Sequence, residues 1–416
     1  MTARGRSISI DRTYELFLVA YLFLTWFFFY PISGLSLSLH SLLVPLIVFL
    51  AYQGGVSGRS VSQSFKVSRI EIGVILIVFW FGIPWLVFFE FRSENIEDFR
   101  AYALGLLTAL ALKKLKNIEV LEKFFHICRS FLVLNGGFSA IQFFGYPIFP
   151  ASYFSANVPE NFVVGLTAGV TQSAMLGLVS TSVVIGSLLY SNQRKGSRII
   201  SVFAVFAGIG TIALTGSRAA LLGLIIVLIL LPLTHRGLAR RADVVWRYGM
   251  HFILGMYLIF VVVVALLVTA LSEALNFEAA RFIQYKLTTL SDDSTGARFE
   301  VWQAAINALS EFPLAFISGI GFGTFSIFYG LNPHNSFFEI LTAAGIFGLF
   351  FLISCCYISI RRCFLSGEGL SIGLGLALIS MMVMMFFHDL VRSRVFWILI
   401  GFSFAQLSRS NSNRAD

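Results

Sequence analysis

The sequence predicts an all-helical, polytopic membrane protein of about twelve transmembrane helices with one long outer loop. Three observations support this fold class: the composition, the length of the apolar segments and the placement of the cations. Of the 416 residues, 57% are hydrophobic and only 12% are charged, and the mean hydropathy is +0.84. A water-soluble core does not account for that much apolar surface, so the chain is expected to lie in lipid.

Apolar segments of helical length recur along the chain, and each is expected to cross the bilayer once. They lie at about residues 14–31, 35–52, 70–89, 99–112, 124–145, 165–190, 199–214, 217–233, 250–272, 337–360, 370–388 and 395–408. Only a short polar turn separates the seventh segment from the eighth. We therefore divide the chain into the first nine transmembrane helices (1–272), an outer loop (273–336), and the last three helices with a cytoplasmic tail (337–416).

The basic residues indicate the orientation of these helices. With the N-terminus inside, most of the 30 Lys and Arg residues fall in the predicted inner loops, as the positive-inside rule requires. Both termini are then cytoplasmic. The cations are spread over short loops and not gathered on one folded face, so the net charge of +9 does not indicate nucleic-acid binding.

A few arginines remain on the outer side, where they do nothing for membrane insertion. They include Arg218, Arg281, Arg298 and Arg392. A guanidinium presents a planar fork of donors that matches phosphate oxygens, so we predict that these four bind an anionic lipid head group such as a diphosphate. Arg218 also leads an apolar helix, whose free N-terminal amides would point at the same anion. The alternative is that each arginine only anchors a helix end to membrane phosphates.

The outer loop is expected to contain a short amphipathic helix over residues 297–312. Trp302, Ile306 and Leu309 recur there at helical spacing, which is typical of a helix that lies in the membrane interface. Pro313 is expected to end it.

A glycine run at 319–323 follows this helix. It lacks the preceding strand and the βαβ unit that a nucleotide loop requires. Gly321 and its neighbours are therefore expected to let the backbone turn close to a sugar or to a neighbouring helix. Asp292 and Asp293 have no third carboxylate or other metal ligand at a spacing typical of a divalent cation site, so we interpret them as capping or solvated groups. We expect neither a cofactor nor a metal ion.

His334 is the candidate catalytic residue. It stands at the mouth of an apolar helix, and neutral imidazole, with an ordinary pKa near 6.5, can remove a proton from a sugar hydroxyl. The preceding proline fixes the approach of the chain, Asn335 can orient the ring or cap the next helix, and Glu339 lies one turn further on. His388 is a second candidate, for which we favour a packing role.

Three segments, in this order, resemble the superfamily of O-antigen ligases and polymerases, and the resemblance covers about residues 165–404. Residues 214–220 (Leu-Thr-Gly-Ser-Arg-Ala-Ala) are similar to the family's Ser-Arg turn before a transmembrane helix. Arg298-Phe-Glu-Val-Trp, Pro313 and the glycine run resemble the family's periplasmic loop. His334-Asn335, nine further residues and Gly345-Ile-Phe-Gly348 match its His-Asn-x9-Gly-x-x-Gly pattern. The first 160 residues match only in hydropathy.

The resemblance implies an inverting, metal-independent glycosyltransferase in a bacterial inner membrane, with its active site facing the periplasm. It implies that the donor is a glycan on undecaprenyl diphosphate, that Arg218 and Arg298 hold the diphosphate leaving group, and that His334 is the base for the acceptor hydroxyl. The acceptor is then the lipid A core in a ligase, or a second lipid-linked glycan in a polymerase.

Three functions remain open at this point. Residues 146–164 contain no arginine, and only one outer loop is long, which favours the ligase over the polymerase. The main non-enzyme alternative is a transporter or flippase for lipid-linked oligosaccharides. Such proteins show repeated halves and ionisable residues near the membrane midplane, and neither feature is evident in this sequence.

Overall fold

A computed structural model describes residues 3–27, 39–54, 93–115, 117–144, 163, 165–167, 169–190, 195–238, 293–311, 313–330 and 333–405. All thirteen regular elements in these residues are helices, which confirms the predicted all-helical class. They are α1 (Ala3–Phe27), α2 (Leu39–Gly54), α3 (Ser93–Lys113), α4 (Ile118–Phe143), α5 (Val170–Tyr190), α6 (Lys195–Thr215), α7 (Arg218–Leu238), α8 (Asp293–Glu311), α9 (Pro313–Ser318), α10 (Thr324–Tyr329), α11 (Ser336–Ser366), α12 (Gly369–Met385) and α13 (Arg394–Phe404).

Within the described residues, four helical segments are long and apolar enough to cross a membrane. They are Ile118–Phe143, Val170–Leu189, Lys195–Thr215 and Ser336–Ser366. Shorter apolar segments accompany them in α1, α2, α7, α12 and α13. The protein is therefore a helical membrane protein. The count of twelve spans, the three-part division of the chain and the position of the outer loop stay predictions, and the predicted spans at 70–89 and 250–272 lie outside the described residues.

Helix α12 lies among α5, α7, α11 and α13 and contacts all four. Its backbone approaches α5 at two glycines, where a Cβ atom on Gly186 would lie 2.3 Å from the Cα of Gly373. A Cβ on Gly223 of α7 would lie 3.1 Å from the carbonyl oxygen of Ser380 in α12. Small residues at helix crossings allow the close van der Waals packing that holds helices together in lipid. These crossings fix the N-terminal ends of α5 and α7 beside the chain that follows α12.

Helix α11 is interrupted at Gly345, where φ is 67° and ψ is −167°. The interruption releases the carbonyls of Thr342 and Ala343 from helical hydrogen bonding. They accept instead from the amides of Ile320, at 2.7 Å, and Gly321, at 3.0 Å. The glycine run therefore packs against a neighbouring helix, which is one of the two arrangements that the sequence predicted for it.

Candidate functional site

A tight turn between α6 and α7 positions Arg218. Gly216 has a φ of 63° and its amide donates to the carbonyl oxygen of Ala213 at 3.0 Å. The Ser217 hydroxyl accepts from the amide of Ala220 at 3.4 Å, as an N-cap residue does. Arg218 is the first residue of α7. The predicted break between the seventh and eighth apolar segments is confirmed.

Helix α8 carries Arg298 and Trp302 one turn apart. It spans Asp293–Glu311, so the helix expected over 297–312 is confirmed, while its place in a membrane interface stays a prediction. Its buried apolar residues are Val301, Ala305, Ala308 and Leu309. Of the predicted apolar residues Trp302, Ile306 and Leu309, only Leu309 is fully buried, and Ile306 is 47% exposed. Helix α8 packs on Ala315, Ile320 and Phe325, so it buries a different face from the one we expected. Pro313, expected to stop the helix, begins α9.

Trp302 connects α8 to the loop that carries His334. Its indole Nε1 donates to the carbonyl oxygen of Pro333 at 3.0 Å. Its ring is stacked on Phe338 of α11, with centroids 5.5 Å apart. The residue before His334 is therefore held by the same helix that carries Arg298.

His334 adopts an unusual backbone conformation. Its φ is 47°, and no other non-glycine residue in the described part of the chain has a positive φ. A non-glycine residue in the left-handed region is uncommon and persists where its surroundings determine it. The side chain is exposed. The constraint on the His334 backbone comes from Trp302 on one side and from Asn335 on the other.

Asn335 caps α11 and also fixes the loop after α12. Its Oδ1 accepts from the amides of Phe337, at 2.9 Å, and Phe338, at 3.2 Å, while its Nδ2 donates to the carbonyl oxygen of Phe386 at 3.0 Å. The cap that the sequence suggested for Asn335 is thus present. The additional contact to Phe386 was not foreseen.

Ser336 strengthens the same junction. Its hydroxyl donates to the carbonyl oxygen of His388 at 3.0 Å and accepts from the amides of Leu390, at 2.8 Å, and Val391, at 3.2 Å. Two successive side chains at the start of α11 therefore bind the backbone of the loop 386–393. His334 and His388 are brought together by this junction.

An open cavity of about 390 Å³ lies at this end of the helices. Arg218, Arg298, Trp302 and His388 line it, together with residues at the start of α5. Arg218 and Arg298, which we predicted to be diphosphate ligands, are thus brought to one site from different helices. Their binding of a diphosphate stays a prediction.

Both histidines favour the neutral form. Desolvation lowers the pKa of His334, and Arg298 lowers it further, while Glu339 opposes the shift. Burial lowers the pKa of His388 to about 4, with Arg298 and then His334 adding to the effect. Cations disfavour a second positive charge nearby. At neutral pH both imidazoles are therefore uncharged.

Arg392 forms ion pairs with three carboxylates. Its Nε lies 3.1 Å from Oε1 of Glu339 and 2.7 Å from Oδ2 of Asp389, its Nη2 also bonds Glu339, and its Nη1 lies 2.5 Å from Oδ1 of Asp98 in α3. Burial raises the pKa of Asp389 well above its ordinary value, and Glu339 adds to this while Arg392 opposes it. The arginine therefore joins α3, α11 and the loop 386–393, an arrangement that the diphosphate prediction did not anticipate. Glu339, expected to support His334, contacts Arg392.

The remaining predicted residues have different positions. Gly321 contributes its backbone amide to the interruption of α11. Arg281 and Asp292 lie outside the described residues. In the part of the chain that the structure describes, no group of three or more His, Cys, Asp or Glu side chains is arranged to hold a metal ion.

Sequence reasoning missed one feature of the site and gave little weight to another. His388 was named as a second candidate with a packing role favoured, and it lines the cavity. Ser336 was not considered. The only available signal was that His388 follows an apolar segment directly, as His334 precedes one. Nothing in the spacing indicated that Ser336 would bind the backbone of that second histidine.

The fold and the site define a helical membrane protein with a cationic cavity beside two neutral histidines. Residues 203–353 match the family model described as Wzy_C, O-antigen ligase. The match supports the resemblance to the superfamily of O-antigen ligases and polymerases, and with it an O-antigen ligase-like glycosyltransferase. It spans α7, α8 and the first part of α11, and therefore includes Arg218, Arg298 and His334. No curated protein and no solved structure gives a significant match to the chain.

Proposed function

We propose that the protein transfers a glycan from undecaprenyl diphosphate to a sugar hydroxyl at the periplasmic face of a bacterial inner membrane. The observation that carries this proposal is the cavity of about 390 Å³ in which Arg218 and Arg298 meet beside His388. His334 lies close to it, because Asn335 and Ser336 bind the loop that carries His388. A lipid-linked glycan requires a site that binds a diphosphate near the membrane and a base close to it. The match of residues 203–353 to the O-antigen ligase family agrees with that substrate class.

The donor diphosphate is bound by two guanidinium groups and a helix end. Arg218 is the first residue of α7, a helix of 21 residues, and its N-terminal amides add partial positive charge at the same place. Arg298 approaches from α8. Arginine forms paired, directional hydrogen bonds to phosphate oxygens, so this arrangement holds the leaving group without requiring a metal ion or another cofactor.

His334 removes the proton of the acceptor hydroxyl. The hydroxyl oxygen attacks the anomeric carbon, the bond from that carbon to the diphosphate oxygen breaks, and the electron pair leaves with the lipid diphosphate. The hydroxyl proton passes to the neutral imidazole. A single displacement of this kind inverts the anomeric centre. General base catalysis contributes roughly a hundred- to ten-thousand-fold to such a rate.

The acceptor is proposed to be the lipid A core, which makes the protein an O-antigen ligase. The sequence-based argument for this choice is the lack of arginine over residues 146–164. A polymerase of the same superfamily uses a second lipid-linked glycan as the acceptor. Offering the purified protein one lipid-linked glycan together with either acceptor decides between them, because only the acceptor of the native reaction is consumed.

The donor site is tested by binding. We expect Arg218→Ala and Arg298→Ala each to weaken binding of undecaprenyl diphosphate, and lysine at either position to restore it poorly because the bidentate fork is lost. Arg129→Ala is the matched control, since its guanidinium bonds Ser197 at 2.8 Å and does not line the cavity. Unchanged lipid binding in both alanine variants refutes the proposed donor site.

A further inference from the structure

His388, and not His334, lines the cavity with the two arginines. Arg298 lowers the pKa of both imidazoles, and it lines the cavity with His388. The side chain of His334 is exposed, whereas His388 is set in the cavity wall. His388, but not His334, therefore contributes to the cavity wall.

The backbone of His388 is fixed from both directions. Its amide donates to the carbonyl oxygen of Met384, at 2.9 Å, and its carbonyl accepts from the Ser336 hydroxyl at 3.0 Å. The same hydroxyl binds the amides of Leu390 and Val391. These bonds hold the backbone of His388 in place, so its side chain enters the cavity wall from a fixed point.

The charge state of His388 suits a hydrogen-bond donor beside two cations. Burial, Arg298 and His334 together lower its pKa to about 4, so the ring is neutral at physiological pH. A neutral imidazole keeps one N–H donor and one acceptor nitrogen. It adds a directional donor to the cavity without adding a third positive charge that would repel the arginines.

We propose that His388 is a second catalytic histidine, whose ring N–H donates to an oxygen of the diphosphate leaving group. This inference rests on the proposed function. Negative charge on the leaving diphosphate grows as its bond to the anomeric carbon breaks, and a fixed donor aimed at that charge stabilises the transition state more than the ground state. Arg218 and Arg298 supply charge, His388 supplies a directional hydrogen bond, and His334 takes the acceptor proton on the other side of the displacement.

The test compares three variants in steady-state transfer from an undecaprenyl-diphosphate glycan by the purified full chain. His388→Leu retains bulk without a donor, while His388→Asn and His388→Gln return an N–H at the two depths of the ring nitrogens. We expect the leucine variant to lose about 100-fold in kcat with a small change in the donor KM. One of the two amide variants should have a kcat at least about tenfold higher than that of the leucine variant. Phe386→Leu, in the same loop, is the control for general disturbance and should retain wild-type kcat.

Each result decides the question. A kcat for His388→Leu within about threefold of wild type overturns the inference, given how much one missing donor costs. Equal losses in all three variants also overturn it, because an amide N–H then fails to replace the ring donor; a lower melting temperature in addition assigns His388 to packing. Failure of the proposed function gives a different result: the wild-type protein itself then releases no lipid diphosphate from any lipid-linked glycan.

Discussion

Replacing Asn335 by alanine tests the junction between the two histidine loops. In the native protein one amide side chain satisfies three backbone groups: the amides of Phe337 and Phe338, and the carbonyl of Phe386. Asn335 is 3% exposed, so water does not readily replace these partners. The substitution therefore removes a helix cap and leaves a carbonyl of the loop 386–393 without its donor.

The expected cost follows from these contacts. Loss of an N-cap side chain costs about 1 kcal/mol. Loss of the hydrogen bond to the carbonyl of Phe386, a residue that is 51% exposed, adds about 0.5 to 1.5 kcal/mol. We therefore expect Asn335→Ala to lower the free energy of unfolding by about 1.5 to 2.5 kcal/mol. Asn335→Asp keeps the capping oxygen but loses Nδ2, so it should retain the cap contribution and lose the contact to Phe386.

The assay is equilibrium unfolding of the purified protein in mixed micelles, with melting temperature as a second measure. Glu368→Ala is the matched control, since Glu368 occupies the N-cap position of α12 but makes no side-chain capping hydrogen bond. It should leave stability within about 0.5 kcal/mol of wild type. Equal stability of Asn335→Ala and Glu368→Ala contradicts the role assigned to this junction.

Three further predictions concern the neighbouring elements. Gly345→Ala should lower the free energy of unfolding by more than about 1 to 2 kcal/mol, because a residue with a Cβ atom does not easily adopt this positive φ. Gly210→Ala is the control: a Cβ atom at Gly210 would meet nothing within 4 Å, so this change should not lower the melting temperature. Trp302→Phe removes the N–H donor to Pro333 but keeps an aromatic ring in the cavity wall, so it should reduce kcat more than donor affinity in the transfer assay; a changed affinity and an unchanged kcat contradict this. Arg392→Met should destabilise the protein by about 3 to 5 kcal/mol, because it leaves buried carboxylates without their cation; unfolding measurements that show wild-type stability contradict the ion cluster.

Local patterns in the sequence predicted the elements that depend on nearby residues. The turn at Gly216 and the cap at Asn335 use residue types whose conformational preferences act within a few positions. The helix that carries Arg298 was also predicted, although the face it buries was not. A helical period shows that a segment is amphipathic, but which partner covers it depends on the tertiary packing.

Contacts between distant parts of the chain were beyond sequence reasoning. Arg392 meets Asp98 across 294 positions, and no local pattern indicates that pairing. The same holds for the Ser336 hydroxyl and the backbone of His388, 52 positions apart. An outer arginine is equally compatible with phosphate and with carboxylate, since both offer paired oxygens to the same fork. Only the fold shows which partner is adjacent.

The pH dependence of transfer offers an independent check on the base. Desolvation and Arg298 lower the pKa of His334 below its ordinary value of 6.5. A base acts only when it is deprotonated, so the rate should be constant around neutrality and fall as the pH drops through a value below 6.5. A rate that already falls above this value on acidification contradicts the assignment.

Release of undecaprenyl diphosphate by purified His334→Ala, measured with lipid-linked glycan and each acceptor in turn, tests the central claim most directly. The variant should bind the donor lipid as the wild type does, because Arg218 and Arg298 remain in place, and it should release lipid diphosphate at least about a hundredfold more slowly. Release at the wild-type rate by a folded His334→Ala protein contradicts the account.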